Sequence, residues 1–391
     1  MTHLPLRSML FFSLSLFVIL SPLQHSQADD LQKTVLFEAR DGLYHHYRIP
    51  GIITTSQGTL LAYCEARKSA GDWANIDILM RRSTDGGKTW LAPQTIHDAK
   101  ENTVNNVVAF ADAQTGQVHL LYCENYGRCF YIDSKDDGKT FSDPVEITSV
   151  FEQFRKEYDW NVIATGPGHG IQLQNGRLLV PVWLSTGGKK HRPSSVATIF
   201  SDDHGKTWQR GDIIVKQGDT VAGETVVNPS ETVAVQLFDN QVLVNIRTES
   251  NPHRRLVAVS DNGATNWTSK HFDDQLREPV CMASILRLPA SKSQPRNAIV
   301  FANPDNLENK TKRRKPNRDR KNLTLQVSFD DCKTWASKQV LEPGISGYSD
   351  LAALPDGTIF CFYEDGGFKN NGYDTTALTI ARFPLKWILQ D

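Results

Sequence analysis

The side chains of this chain that could do chemistry are arginines, carboxylates and a tyrosine, each set in a short polar motif. Arg48 stands in Tyr47-Arg48-Ile49-Pro50, Arg247 closes Val244-Asn245-Ile246-Arg247, and Arg320 opens Arg320-Lys321-Asn322-Leu323-Thr324. Guanidinium is a planar, permanently charged fork suited to gripping a carboxylate bidentately, so lysine would be a poor substitute. Glu65-Ala66-Arg67 opens a polar stretch that runs to Gly71-Asp72-Trp73; Asp77, the nearby competitor, alternates in Ile76-Asp77-Ile78 like a strand residue. Glu231 lies in Pro229-Ser230-Glu231-Thr232, with Glu224 in Gly223-Glu224 as its loop-like alternative. Tyr348 sits in Ser346-Gly347-Tyr348-Ser349-Asp350-Leu351, and Glu364 ends Phe362-Tyr363-Glu364. Such residues could hold an anion and move protons. Taken singly, each has a bland reading: a surface or ion-paired arginine, a turn aspartate, a packed tyrosine. No His/Cys/carboxylate cluster has metal-ligand spacing and no phosphate-binding glycine loop occurs, so neither metal nor cofactor is implied.

The three arginines are 199 and 73 residues apart, and only a fold that gathers distant strand ends could bring them together. Internal repetition supplies one. Ser-x-Asp-x-Gly-x-Thr-Trp stands intact at Ser83 to Trp90 and Ser201 to Trp208. Ser134 to Phe141 replaces Trp with Phe, Ser328 to Trp335 replaces Gly with Cys332, and Ser260 to Trp267 is more degraded. Asp and Ser would cap backbone N–H groups of a tight turn, with the aromatic packed beneath. Starts spaced by 51, 67, 59 and 68 residues mean one supersecondary unit repeated around the fold. Between copies, Arg177 to Trp183, Gln241 to Thr248 and Thr358 to Glu364 read as strands, each after an Asn or Asp turn signal. Only Ser149 to Tyr158 invites a helix. The expectation is an all-β chain, a six-bladed β-propeller with about four strands per unit.

At the N-terminus, Arg7 and the apolar run Met9 to Leu20 precede Ser26-Gln27-Ala28, which reads as a secretory signal peptide over 1–28 with a single propeller domain over 29–391. An uncleaved anchor is the alternative. No later segment approaches about 18 uninterrupted apolar residues. The expected location is secreted or periplasmic, without stable membrane insertion. Lys+Arg 43 against Asp+Glu 44 removes bulk attraction to nucleic acid. Lys310 to Lys321 holds eight basic residues and one acid; behind a signal peptide it reads as a solvated loop. Cys123 and Cys129 flank a possible turn, where a bridge and two free thiols are both compatible with the spacing. Cys64, Cys281 and Cys361 look like small buried residues.

The repeats, the Tyr-Arg-Ile-Pro motif and the polar motifs in register with them resemble the exo-α-sialidases (neuraminidases), from about Val35 to Phe383. Such Asp boxes occur in many secreted propellers; the polar motifs are far more specific. The resemblance implies that Arg48, Arg247 and Arg320 clamp a substrate carboxylate, although Arg318 lies two residues from the last. It implies Asp72 as a general acid/base on a mobile loop, Tyr348 as nucleophile and Glu231 as its partner. Glu364 resembles the carboxylate that orients Arg48, and Arg67 a contact to the far side of the sugar. A neutral phenol, unlike a carboxylate, can approach an anomeric carbon that already bears a carboxylate; sialidases with a tyrosine nucleophile are a known exception to the two-carboxylate rule. Gly166 to Ile171 also resembles the family, and its glycines suggest close backbone approach; His169 reads as packed.

The implied activity is retaining hydrolysis of terminal α-linked sialic acids on glycoproteins, gangliosides or oligosaccharides. Two alternatives stand beside it: a hydrolase of a related 2-keto sugar acid, and a non-catalytic glycan-binding propeller. The second predicts losses at the acid, base or nucleophile positions, and none is visible. Sequons stand at Asn266, Asn309 and Asn322.

Overall fold

The computed structural model describes residues 1–2, 31–291, 294–309 and 319–390. The expected signal peptide, beyond its first two residues, and most of the basic run lie outside the described residues.

The strands group into six antiparallel blades spanning 46–97, 104–146, 162–216, 232–277, 284–342 and 345–384, here blades I to VI. The last two share one long strand, Ser337–Ala353, which is the outer strand of blade V and then the inner strand of blade VI. The ring closes because Gln32–Glu38 pairs with Ala377–Pro384 as the outer strand of blade VI. Each blade–blade interface is sealed by its own apolar cluster. Leu61, Ile78 and Leu120 join blades I and II, Val180 and Leu121 join II and III, and Val196 and Val244 join III and IV. Leu243 and Phe301 join IV and V, Leu325 and Ile359 join V and VI, and Phe360 and Leu60 close VI onto I. Such side chains contribute roughly 1.5–3 kcal/mol each when fully buried.

All five Asp boxes fall between the third and fourth strands of blades I to V. Their chemistry is repeated. In the first, Asp85 accepts from the Thr89 N–H at 3.0 Å and the Thr89 hydroxyl at 2.7 Å, while the Gly87 N–H donates to Ser83 Oγ at 3.0 Å. Gly87, Gly138 and Gly205 have φ near +80°, where glycine costs least, and Cys332 occupies the same left-handed region. Blade VI has no box for a topological reason: its fourth strand comes from the N-terminus, so no third-to-fourth hairpin exists.

The three strands expected from sequence appear at Leu178–Ser185, Val242–Ile246 and Thr358–Asp365. The helix is shorter than its signal, Thr148–Glu152. Cys123 and Cys129 face each other on neighbouring strands as free thiols. The Gly-rich stretch does bring backbones together: a Cβ at Gly170 would meet Phe110 at 2.5 Å, and Gly168 O accepts from the Tyr63 hydroxyl at 2.7 Å. His169 is packed on Asp350 at 2.7 Å.

Candidate active site

Antiparallel strands put first-strand starts and second-strand ends on one face of the ring, opposite the Asp boxes. Arg48 and Tyr348 lie on the inner strands of blades I and VI, and Glu231 immediately precedes that of blade IV. Arg67, Arg247 and Glu364 stand at second-strand ends, Asp72 in the loop after one, and Arg320 just before Lys321–Ser328. A cavity of about 530 Å³ opens there, and seven of these eight residues line it. Glu364 is buried beneath.

Two bulges aim the inner-strand residues. The register between His46–Thr54 and Leu60–Arg67 slips between Arg48 and Gly51, with Ile49 at φ +55°. A β-branched residue in that region is strained, and such strain collects at functional sites. Glycine is required at Gly51, where a Cβ would meet the Tyr63 ring at 2.1 Å. The facing bulge lies between Ser346 and Ser349. There a Cβ on Gly347 would meet Glu364 Oε2 at 2.2 Å, so glycine lets that carboxylate sit under Tyr348. Glu364 then ties both bulges together. It accepts from Arg48 Nε at 2.9 Å and Nη2 at 3.1 Å, from the Ile49 N–H at 3.2 Å and from the Tyr348 N–H at 3.1 Å. Burial alone would raise its pKa, but the Arg48 charge and bonds hold it below the ordinary glutamate value.

The Tyr348 hydroxyl donates to Glu231 Oε1 at 2.5 Å and accepts from Arg247 Nη1 at 2.8 Å. Arg247 also bonds Glu231 Oε2. Burial pushes the phenol well above its ordinary pKa; Arg247 works against that, Glu231 with it, and Arg320 and Arg48 against it. Both of these last guanidiniums sit by the Tyr348 ring, at 5.0 and 5.3 Å from its centroid. Arg320 also lies 4.5 Å from the Tyr373 ring and donates to Val280 O at 2.8 Å. Its Nε and Nη1, and Arg247 Nε, are buried N–H donors without a partner among the described residues. Buried donors of this kind call for an acceptor, and converging guanidiniums make that acceptor an anion.

Asp72 lies across the cavity, with its side chain 43% exposed. Arg67 Nη1 donates to its Oδ1 at 3.0 Å while Nη2 is held by Glu65 at 2.6 Å, and His191 Nδ1 is 3.8 Å from Oδ2. Burial would raise the Asp72 pKa, but Arg67, Arg48 and His191 together hold it far below the ordinary aspartate value. The raised value that an acid needs is therefore not a property of the free pocket. Next to it, Trp73 packs against Tyr126 at 4.6 Å and stacks on His191 at 4.5 Å and 17°.

The competitors lie elsewhere. Asp77 is buried in its strand, accepting from the Tyr44 hydroxyl and the Ala99 N–H, and Glu224 is on an exposed hairpin. Sequence reasoning missed His191, Tyr126, Trp183 and Tyr373, all of which line the cavity. Trp73 stood beside Asp72 in the polar stretch and could have been flagged. His191, in a loop of Gly, Lys and Pro, carries no pattern.

Residues 58–361 match the BNR repeat-like domain. The chain belongs to this family. A sialidase of Micromonospora viridifaciens is 28% identical over 91% of this chain and 54% of its own length. Sialidase-2 of Cricetulus griseus is 28% identical over 87% of this chain and 93% of its own length. Among solved structures, the Hadza microbial sialidase Hz136 superposes with a TM-score of 0.75 at 26% identity, covering 91% of this chain and 69% of that one. The chain thus spans about half of the first relative and nearly all of the second. No helix among its described residues is long and apolar enough to cross a membrane.

Proposed function

We propose that this BNR-repeat sialidase homologue is an exo-α-sialidase that hydrolyses terminal α-linked sialic acids with retention of configuration. The observation that carries the reading is the 2.5 Å bond between Tyr348 and Glu231 in a pocket ringed by Arg48, Arg247 and Arg320. The sugar's carboxylate replaces the missing acceptor of the arginine donors. Glu231 takes the phenolic proton as Tyr348 Oη attacks the anomeric carbon, while Asp72 protonates the departing glycosidic oxygen. Asp72 then removes a proton from water, which displaces Tyr348 and releases the sugar.

Asp72 must gain a proton to begin. Substrate entry favours this in two ways: its carboxylate offsets the positive charge of Arg48, and its bulk excludes water from the aspartate. Arg67 is assigned to hold Asp72 and contact the sugar, and Glu364 to orient Arg48. Residues 1–28 serve as a signal peptide, so the mature domain would act outside the cytoplasm, secreted or periplasmic. Its substrates there are sialylated glycoproteins, gangliosides or oligosaccharides. The test is turnover of a fluorogenic N-acetylneuraminic acid glycoside beside its deaminated analogue, with the anomer of the first product read by NMR. Release of the β-anomer, or turnover of the deaminated sugar alone, would overturn the assignment.

A further inference from the structure

His45 and His46 stand at the start of the inner strand that carries Arg48, and Asp374 lines the cavity from the loop after Thr358–Asp365. His45 falls in the bend just before the strand, so its side chain is free of the strand's alternation. Here the two imidazoles lie 5.0 Å apart and converge on one carboxylate oxygen. Asp374 Oδ1 is 3.4 Å from His45 Nε2 and 3.4 Å from His46 Nδ1, and the three atoms all lie within 4.8 Å of one another. That separation is long for an N–H···O bond, commonly about 2.9 Å. It equals the edge of a tetrahedron whose metal–ligand bonds are about 2.1 Å, an edge of about 3.4 Å.

His46 needs such a ligand. It is 1% exposed, its Nε2 has no partner among the described residues, and its Nδ1 has only the long approach to Asp374. A buried imidazole with neither nitrogen well bonded is rare. Arg40 Nη2 occupies Asp374 Oδ2 at 3.1 Å, which orients the carboxylate and leaves Oδ1 facing the histidines. His45 is about one-third exposed, and this opens a route from solvent.

We propose that His45 Nε2, His46 Nδ1 and Asp374 Oδ1 bind one zinc-class divalent ion, with its remaining position open to water. Two imidazoles and a carboxylate select zinc and its neighbours, whereas calcium and magnesium need more oxygen ligands than this site offers. The positive charges of Arg48 and Arg67 near His46 oppose a dication and set the affinity at a modest level. The ion would clip the start of the Arg48 strand to the loop bearing Tyr373, against which Arg320 stacks.

The test needs no substrate, so its failure is distinct from failure of the sialidase assignment. Metal-free full-length protein is titrated with zinc by calorimetry and melted with and without it. Wild type should bind one equivalent, with a zinc-dependent rise in Tm, because an ion that binds only the folded state stabilises it. His45→Ala and Asp374→Asn should each lose both effects. His45→Ala removes a ring that is about one-third exposed, so its circular dichroism should match wild type and its metal-free Tm should stay within a few degrees. Equal zinc binding by wild type and both variants, no saturation up to about 1 mM, or equal binding of calcium would overturn the site.

Discussion

Glu364 grips Arg48 through both carboxylate oxygens from beneath the cavity floor, and the same carboxylate accepts the backbone N–H of Tyr348. One buried acid therefore fixes both the arginine proposed to read the substrate and the strand bulge that carries the phenol proposed as nucleophile.

Replacing Glu364 by Gln keeps the shape and removes the charge. Breaking a buried pair strands the remaining ion at a cost of about 3–5 kcal/mol, so Tm should fall markedly. The effect has a definite pH dependence. The folded-state pKa of Glu364 lies below its unfolded value, so its contribution is complete above the unfolded value and is lost as pH falls through the folded one. The difference in unfolding free energy between wild type and Glu364→Gln, measured by denaturant titration, should be full at pH 7 and shrink toward pH 3. A difference that grows toward acid would contradict this assignment.

Tyr348→Phe removes one hydroxyl from a ring that keeps its packing. The arginines remain, so an unsaturated sialic acid analogue should still bind within a few-fold of wild type. Turnover should drop by roughly 10²-fold or more, the loss expected when a reacting group is deleted. Near-normal turnover of a natural sialoside would exclude tyrosine as the nucleophile.

The free pocket holds Asp72 ionised, because the charges of Arg67, Arg48 and His191 outweigh its burial. Only the protonated form can serve as the acid, and kcat/KM reports the free enzyme. On a sialoside with a poor leaving group, kcat/KM should therefore decline as pH rises from the acidic range. An activated aryl sialoside needs little protonation and should show a weaker decline. Asp72→Ala should cost the natural substrate at least about 10²-fold and the aryl substrate much less. Equal losses on both would remove Asp72 from the role of acid.

These residues were legible for different reasons. Asp boxes declare themselves because a tight turn needs Ser, Asp and a permissive backbone at fixed offsets, as Ser83, Asp85 and Gly87 show. The polar residues stood out only by register with a known pattern, since nothing in the 198 intervening residues says that Arg48 and Arg247 line one cavity. What stayed hidden comes from loops. His191 and Tyr373 reach the cavity through turns without periodicity, and Asp374 meets His45 and His46 across 328 residues or more of chain. The direction of the Asp72 shift was also invisible, because it depends on Arg67 reaching from its strand end onto the loop that follows.

That loop leads to the last prediction. Residues 68–75 carry Asp72 out over the cavity; Arg67 bonds Gly71 O and Asp72 there, and Trp73 packs the loop between Tyr126 and His191. Trp73 is 38% exposed and belongs to none of the apolar clusters that seal the blades, so Trp73→Ala should leave Tm within a few degrees of wild type. Its effect should fall on placement. A displacement of about 1 Å can cost up to 10²-fold in rate, and here it would act on the proton donor alone. The natural sialoside should lose roughly tenfold or more in kcat/KM, an activated aryl sialoside little, and Trp73→Phe should recover most of the loss by restoring a stacking ring. Parallel losses on both substrates would mean that Trp73 contacts the sugar itself. An unaltered rate on both would mean that the loop is held without it.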